Sequence, residues 1–181
     1  VKQGGKRRGA NMGILEAWHP DIEKFITMKT KPGLYENFNV SVGVWSDFWN
    51  SLVSKSDHKY SLKNPRTKAH VKNINSHQLM ELISLSACKS AETGVIFFDK
   101  INKYNPCKKS KGGPLRATNP CGEQSLYPYE SCNLGSINLS KFVKRKADGM
   151  YEFDWQKYEQ SIRVATRFLD NIIDVNKYPV E

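Results

Sequence analysis

Between Phe38 and Val44 the chain alternates strictly: Phe38, Val40, Val42 and Val44 are separated by Asn39, Ser41 and Gly43. Successive side chains of an extended chain point to opposite faces, so this period of two predicts a strand. Short apolar runs at Met12–Leu15 and Val95–Phe98 predict two more, the second suited to a buried strand. Stretches with helical spacing separate and follow them. His19-Pro20-Asp21 opens one that carries Ile22, Phe25 and Ile26, and Pro32-Gly33 breaks it. Ser46-Asp47 is placed to cap a second, with Phe48, Trp49, Leu52 and Val53. Ser76 is placed to cap a third, running through Leu79, Met80, Leu82, Ile83 and Leu85 and ending before Gly94. Within the polar stretch 54–73, Asn64-Pro65-Arg66-Thr67 predicts the turn of a hairpin. A last long helix, from Asp154 to Asn176, keeps Trp155, Tyr158, Ile162, Ala165, Phe168, Leu169 and Ile172 in phase until Pro179 stops it. Helices and strands therefore alternate along the whole length, which predicts an α/β fold with parallel strands and shows no repeat or internal linker.

Composition narrows the class further. The 181 residues are 39% hydrophobic and 25% charged, which excludes a disordered tail, a collagen-like fibre and a disulfide miniprotein. No run approaches the ~18 apolar residues of a membrane span. Four cysteines, at 88, 107, 121 and 132, form no CxxC pair. No two of the four histidines have metal-ligand spacing either, so no metal is expected. The chain has no leader segment and begins with Val, from which we expect a cytoplasmic, reducing setting and one piece of a longer protein. Lys+Arg exceed Asp+Glu by 28 to 18, a net charge of +10. That excess points to a polyanionic partner, nucleic acid or nucleotide phosphate, or to a basic surface kept for solubility.

The densest motif lies at residues 116–140, RATNPCGEQSLYPYESCNLGSINLS. In an extended segment Asn119, Cys121 and Glu123 share a face, with successive members about 6.6 Å apart. Pro120 favours extension of the residue before it, and Gly122 admits a ligand close to the backbone. An amide, a thiol and a carboxylate then line one substrate-sized strip. Like charges repel, so a carboxylate beside a cysteine disfavours the thiolate that a cysteine hydrolase needs. The set suits a thiol that stays protonated, with Glu123 as general base on a substrate hydroxyl; hydrogen-atom chemistry through a cysteine radical is one use of it. On spacing alone, a polar turn holding a buried cysteine explains the same residues.

NPCGEQ followed by PYESCNLGSINL resembles the active-site segment of ribonucleotide reductases, nearest to the adenosylcobalamin-dependent class. QGGKRRGANMGIL, WHPDIEKFI, NFNVSV, NPRT and TGVIFFDKIN resemble further segments of that family in the family's order. The resemblance implies that residues 1–181 are the central portion of a ten-stranded α/β barrel, incomplete in this chain. Its specificity loop would be 1–12 and its active-site segment 116–140. It implies reduction of ribonucleotides to deoxyribonucleotides, with Cys121 as the thiyl radical that takes the ribose 3′ hydrogen. Glu123 would accept the 3′-hydroxyl proton as the 2′-hydroxyl leaves as water, and Asn119 would hydrogen-bond the ribose hydroxyls or Glu123. Cys132 would be one of the two cysteines that reduce the substrate and become a disulfide, its partner lying outside the chain. Pro120 and Gly122 would join these at the substrate. Gly4, Gly5, Lys6, Arg7, Arg8 and Gly9 would form the specificity loop, with Arg7 and Arg8 towards the substrate. Adenosylcobalamin as cofactor, a deoxynucleotide or ATP effector, a thioredoxin-like reductant and a homodimeric assembly are implied in the same way. A radical-generating protein partner in place of the cobalamin is the alternative within the family.

Other residues serve as controls. Asn105-Pro106-Cys107 repeats the first half of the motif but has Lys109 where a base would be needed, so Cys107 reads as a loop thiol. Cys88 reads as a core residue of the third helix, and His19 as a residue that caps or packs. Ser125 stands where the family often has proline, a departure in local loop rigidity. A basic nucleic-acid-binding module would explain the charge while leaving the Asn-x-Cys-x-Glu set unexplained. An inactive split-gene fragment of the reductase would carry the same motifs.

Overall fold

The alternating stretch becomes the centre of a parallel sheet. The computed structural model describes residues 2–3, 7–54, 57–107 and 113–177. Two compact units result, Val1–Glu130 and Ser131–Glu181. In chain order the first unit contains β1 (Lys2–Gln3), β2 (Arg7–Arg8), β3 (Asn11–Glu16), α1 (Ile22–Thr27), β4 (Phe38–Val44) and α2 (Ser46–Val53). These are followed by β5 (Lys59–Lys63), β6 (His70–Asn75), α3 (Ser76–Ser90), β7 (Gly94–Phe97), α4 (Phe98–Lys103), β8 (Ala117–Thr118) and β9 (Ser125–Leu126). The second unit holds a short 3-10 turn (Leu139–Phe142), β10 (Val143–Arg145), β11 (Tyr151–Phe153) and α5 (Trp155–Val175).

The sheet runs in the order β3–β4–β7 and is parallel throughout. It is an open piece of α/β structure, as expected of part of a barrel. Register opposes Leu15 to Val42 and Val42 to Val95, so one face is uniformly apolar. Val40, Val42 and Val44 on that face are at most 2% exposed. Ile22 and Ile26 of α1, Phe48 of α2 and Leu79 and Ile83 of α3 pack there with Tyr60 and Leu62 of the β5–β6 hairpin. Each element contributes the residues its period brought to one side, and the shared burial holds the layers together. Asn64 closes the hairpin by accepting from Arg66 N (2.9 Å) and Thr67 N (3.1 Å), so the expected turn is found.

The opposite face carries Met12, Ile14 and Glu16 beside Asn39, Ser41 and Gly43, with Gly94 and Ile96 on β7. Small residues let other chain segments come close. A Cβ at Gly43 would fall 2.6 Å from the Phe98 ring. This is the face that receives the segment 116–126.

In the second unit, Phe142, Phe153 and Tyr158 cluster edge to face, with the Phe142 and Tyr158 centroids 5.2 Å apart. Asp154 accepts from Lys157 N at 3.1 Å, closing the first turn of α5, and pairs with Lys144. The expected long helix is present, yet none of its residues is buried. No helix of the described residues is long and apolar enough to cross a membrane.

Candidate active site

The segment bearing the motif is fastened to the sheet at successive points. Asn102, buried in α4, accepts from Leu115 N at 2.7 Å and donates from Nδ2 to Leu115 O at 3.0 Å. Arg116 then lies 3.6 Å from Glu16 at the carboxyl end of β3, and 5.6 Å above the Trp45 ring. Four residues on, Asn39 donates from Nδ2 to Pro120 O at 2.5 Å at the amino end of β4. The segment therefore crosses the face opposite the valines, from one end of the strands to the other.

Residues 119–124 join β8 to β9, which pair antiparallel with Ala117 opposite Leu126. The expected extended strip is not found, because the chain must reverse here. Gly122 N donates to Asn119 O at 3.0 Å, forming a β-turn with Asn first, Pro second and Gly fourth, a set of residues that favours turns. Gly122 has φ of +83° with no atom within 4 Å of a would-be Cβ, so glycine is required for its backbone and not for space. Asn119 folds into its own loop, its Oδ1 accepting from Gln124 N at 3.0 Å, while Asn119 N donates to Gln124 O at 3.1 Å. Cys121, Gly122 and Glu123 are exposed at the tip, and Asn119 and Pro120 are half-buried at its base. Among the described residues, the Cys121 thiol and the Glu123 carboxylate have no hydrogen-bond partner. Beyond the turn, Tyr127 N donates to Glu130 Oε2 at 2.9 Å, and Asn105 Nδ2 donates to the Tyr127 hydroxyl at 2.5 Å.

Asn119, Pro120, Cys121, Gly122 and Glu123 thus come together on one turn. Cys132 falls in the second unit, where it is exposed. Its neighbour Asn133 donates from Nδ2 to Leu169 O at 2.8 Å. In the segment expected to be the specificity loop, β1 and β2 pair antiparallel, with Gln3 opposite Arg7 and Lys2 opposite Arg8. Gly4, Gly5 and Lys6 lie outside the described residues, and Gly9 is buried at the approach to β3. Cys88, expected in the core, is exposed, because α3 turns Ile83 and Ser86 inward and Cys88 outward. Cys107 is an exposed loop thiol, as expected. His19 caps locally, its Nδ1 accepting from Asp21 N at 3.1 Å.

Three fastening residues escaped the sequence reading: Asn39, Asn102 and Glu16. Asn39 lies on the polar side of β4, which the period of two distinguishes without saying what covers it, and Glu16 ends an apolar run that carries no such alternation. Burial pushes the Glu16 carboxyl above the ordinary carboxylate range, against the hydrogen bond from Trp45 Nε1 (2.5 Å) and the nearby Arg116 charge. Among the described residues, no three His, Cys, Asp or Glu side chains form a metal-binding group. A cleft of about 330 Å³ flanks the turn, lined by Tyr104, Asn105, Leu115, Gln124, Ser125 and Tyr127 among others. That is the size of a small-ligand site.

The model of the ribonucleotide reductase barrel domain matches residues 1–181. A vitamin B12-dependent ribonucleoside-diphosphate reductase of Thermoplasma acidophilum is 51% identical over 182 residues, covering 100% of this chain and 23% of the relative. An enzyme of the same name from Mycobacterium tuberculosis is 44% identical over 180 residues, covering 99% of the chain and 25% of that relative. A vitamin B12-dependent ribonucleotide reductase of Streptomyces clavuligerus is 28% identical over 205 residues, covering 100% and 21%. The chain spans about a quarter of the length of the curated relatives it matches.

Proposed function

Because the chain belongs to the ribonucleotide reductase family, as part of its barrel domain, we propose that the whole protein reduces ribonucleotides to 2′-deoxyribonucleotides with Cys121 as the hydrogen-abstracting thiol. One observation carries the reading. A thiol and a carboxylate stand unpartnered two residues apart on a tight turn, and that turn is carried across the face of the sheet by bonds to Asn102, Glu16 and Asn39. A group that must meet a substrate is left free, while the backbone beneath it is held.

In this proposal the Cys121 radical takes the ribose 3′ hydrogen. Glu123 accepts the 3′-hydroxyl proton, and the 2′-hydroxyl departs as water. Two thiols supply the reducing electrons, so that ribonucleotide and dithiol become deoxyribonucleotide, disulfide and water; Cys132 is one of them. Asn119 Oδ1 is engaged within the turn, which leaves its amide nitrogen for the ribose hydroxyls or for Glu123. Gly122 gives the substrate close access to the backbone, and Arg7 and Arg8 serve substrate recognition next to β3. A nucleotide effector, a thioredoxin-like reductant and a homodimer complete the proposal for the whole protein. The relatives' names carry vitamin B12, and we assign adenosylcobalamin to the whole protein on that basis. What this chain supplies in this proposal is the thiol that receives the radical.

The test uses the full-length protein, a labelled ribonucleotide and dithiothreitol, with and without adenosylcobalamin. Cobalamin-dependent product that Cys121→Ser reduces to background, with nucleotide binding retained, is the expected result. Unchanged turnover in Cys121→Ser would sink the assignment. Product that appears only with a metal-bearing partner subunit would keep the reaction and overturn the cofactor.

A further inference from the structure

The hydrogen bonds inside the Cys121 turn fix its shape but not its place. Those from Gly122 N to Asn119 O, from Gln124 N to Asn119 Oδ1 and from Asn119 N to Gln124 O all join the turn to itself. Among the described residues, the one hydrogen bond from 117–126 to another element is that from Asn39 Nδ2 to Pro120 O. The accepting carbonyl belongs to the peptide that leads directly into Cys121.

Asn39 is itself held on both sides. The carbonyl of Phe38 accepts from Lys29 Nζ at 2.7 Å, and Val40 N donates to Glu92 Oε2 at 3.0 Å. Lys29, 9% exposed, also pairs with Glu92 and closes the frame. Val40 is buried on the apolar side, which turns Asn39 to the face crossed by the functional segment. A donor mounted on the central strand of a sheet loses little further freedom when it binds, so its bond can set the position of a short turn.

We propose that Asn39 is a positioning residue for the Cys121 thiol, seating the turn on β4 through the Pro120 carbonyl. This rests on the reading of Cys121 as the hydrogen-abstracting group. Hydrogen transfer needs the reacting atoms held close and aligned, and a displacement of about 1 Å costs on the order of 100-fold in rate.

The test compares Asn39→Leu, Asn39→Asp and Asn39→Gln in the full-length protein. Leu and Asp match asparagine in size and lack the donor; Gln keeps it. The expected result is a kcat about 100-fold lower in the Leu and Asp variants, a KM within about two-fold of the parent, and recovery of most of the loss by Gln. Amide exchange read by mass spectrometry should quicken in the peptide covering 117–126 and stay unchanged in β3 and β4. Unaltered kcat with unaltered exchange overturns the proposal. So does a loss of protection spread evenly over the sheet, which would mark Asn39 as a general structural residue. If the parent protein reduces no ribonucleotide, the reading of Cys121 fails, and the exchange comparison still decides whether Asn39 seats the turn.

Discussion

Glu16 combines an unfavourable site with two compensations. It lies beneath the indole of Trp45, whose Nε1 donates to it, with Arg116 at 3.6 Å. Desolvation outweighs both and raises the carboxyl above its ordinary value. A carboxyl that holds its proton more tightly folded than unfolded adds stability below its unfolded value, near pH 4, and gives it up as pH rises through the folded value. The stability of the first unit should therefore carry a component that declines as pH is raised from about 4. Glu16→Gln keeps an acceptor for the indole and has no charge to desolvate, so its thermal melts should show that slope flattened. An equal slope in the variant would place its origin in another group. Tyr60 is a second buried group of this kind, its hydroxyl pushed up by burial and by the Asp47 carboxylate 3.4 Å away. It titrates far above neutrality, and Asp57, held below the usual carboxylate range by its hydrogen bond from Lys59, has a slope of the opposite sign to that of Glu16.

Among the elements, α3 is capped by Asn75 and not by Ser76, the cap the sequence had suggested. Asn75 Oδ1 accepts from His77 N at 2.9 Å and Gln78 N at 3.2 Å, while Ser76 is already helical and fully buried. Both residues are good caps, and the choice is made by packing: the Ser76 hydroxyl is drawn to Ser51 Oγ, 3.1 Å away, and to the His58 carbonyl. Asn75→Ala should cost about 1 kcal/mol, read as exchange on the order of five-fold faster in the first-turn amides of α3. Asn75→Ser should restore most of it, and an alanine variant with parent-like exchange would deny the cap. The start of α2 was less legible still. Its N-cap residue, Trp45, makes no side-chain cap bond; Asp47 Oδ1 accepts from Phe48 N at 2.8 Å, and Asp99 accepts from both the amide and the hydroxyl of Ser46. A cap supplied from 53 residues away leaves no local signature. By contrast β3, β4 and α5 were legible almost to their ends, because an apolar run, a period of two and a helical period each extend over most of the element. The turn at 119–124 lies between these cases. The chemistry proposed for it was read from Asn119, Cys121 and Glu123, but Asn-Pro-Cys-Gly suits both an extended strand and a reversal, and pairing of β8 with β9 decided for the reversal.

For the molecule as a whole, the resemblance placed the fold class correctly, since three adjacent parallel strands with helices packed against them are what a segment of an α/β barrel must show. The same geometry leaves surface uncovered. Val164, Phe168 and Val175 of α5 are 70%, 65% and 77% exposed, and Leu134 is 72% exposed. An apolar helix face without a cover is a surface awaiting more protein. The isolated 181 residues should therefore bind 8-anilino-1-naphthalenesulfonate and tend to associate. The full-length protein should bind far less dye per mole; equal binding by both would mean that this face stays open in the complete protein. The Asn102 clamp has a different consequence. Because its side chain holds both the amide and the carbonyl of Leu115, the chain between them departs from one buried point and returns to it. Its length is then decoupled from the position of everything downstream. Doubling such an excursion costs only about 0.6 kcal/mol in closure entropy. Evolution, or an experimenter threading in an epitope, can lengthen it there while Cys121 stays in register with the sheet.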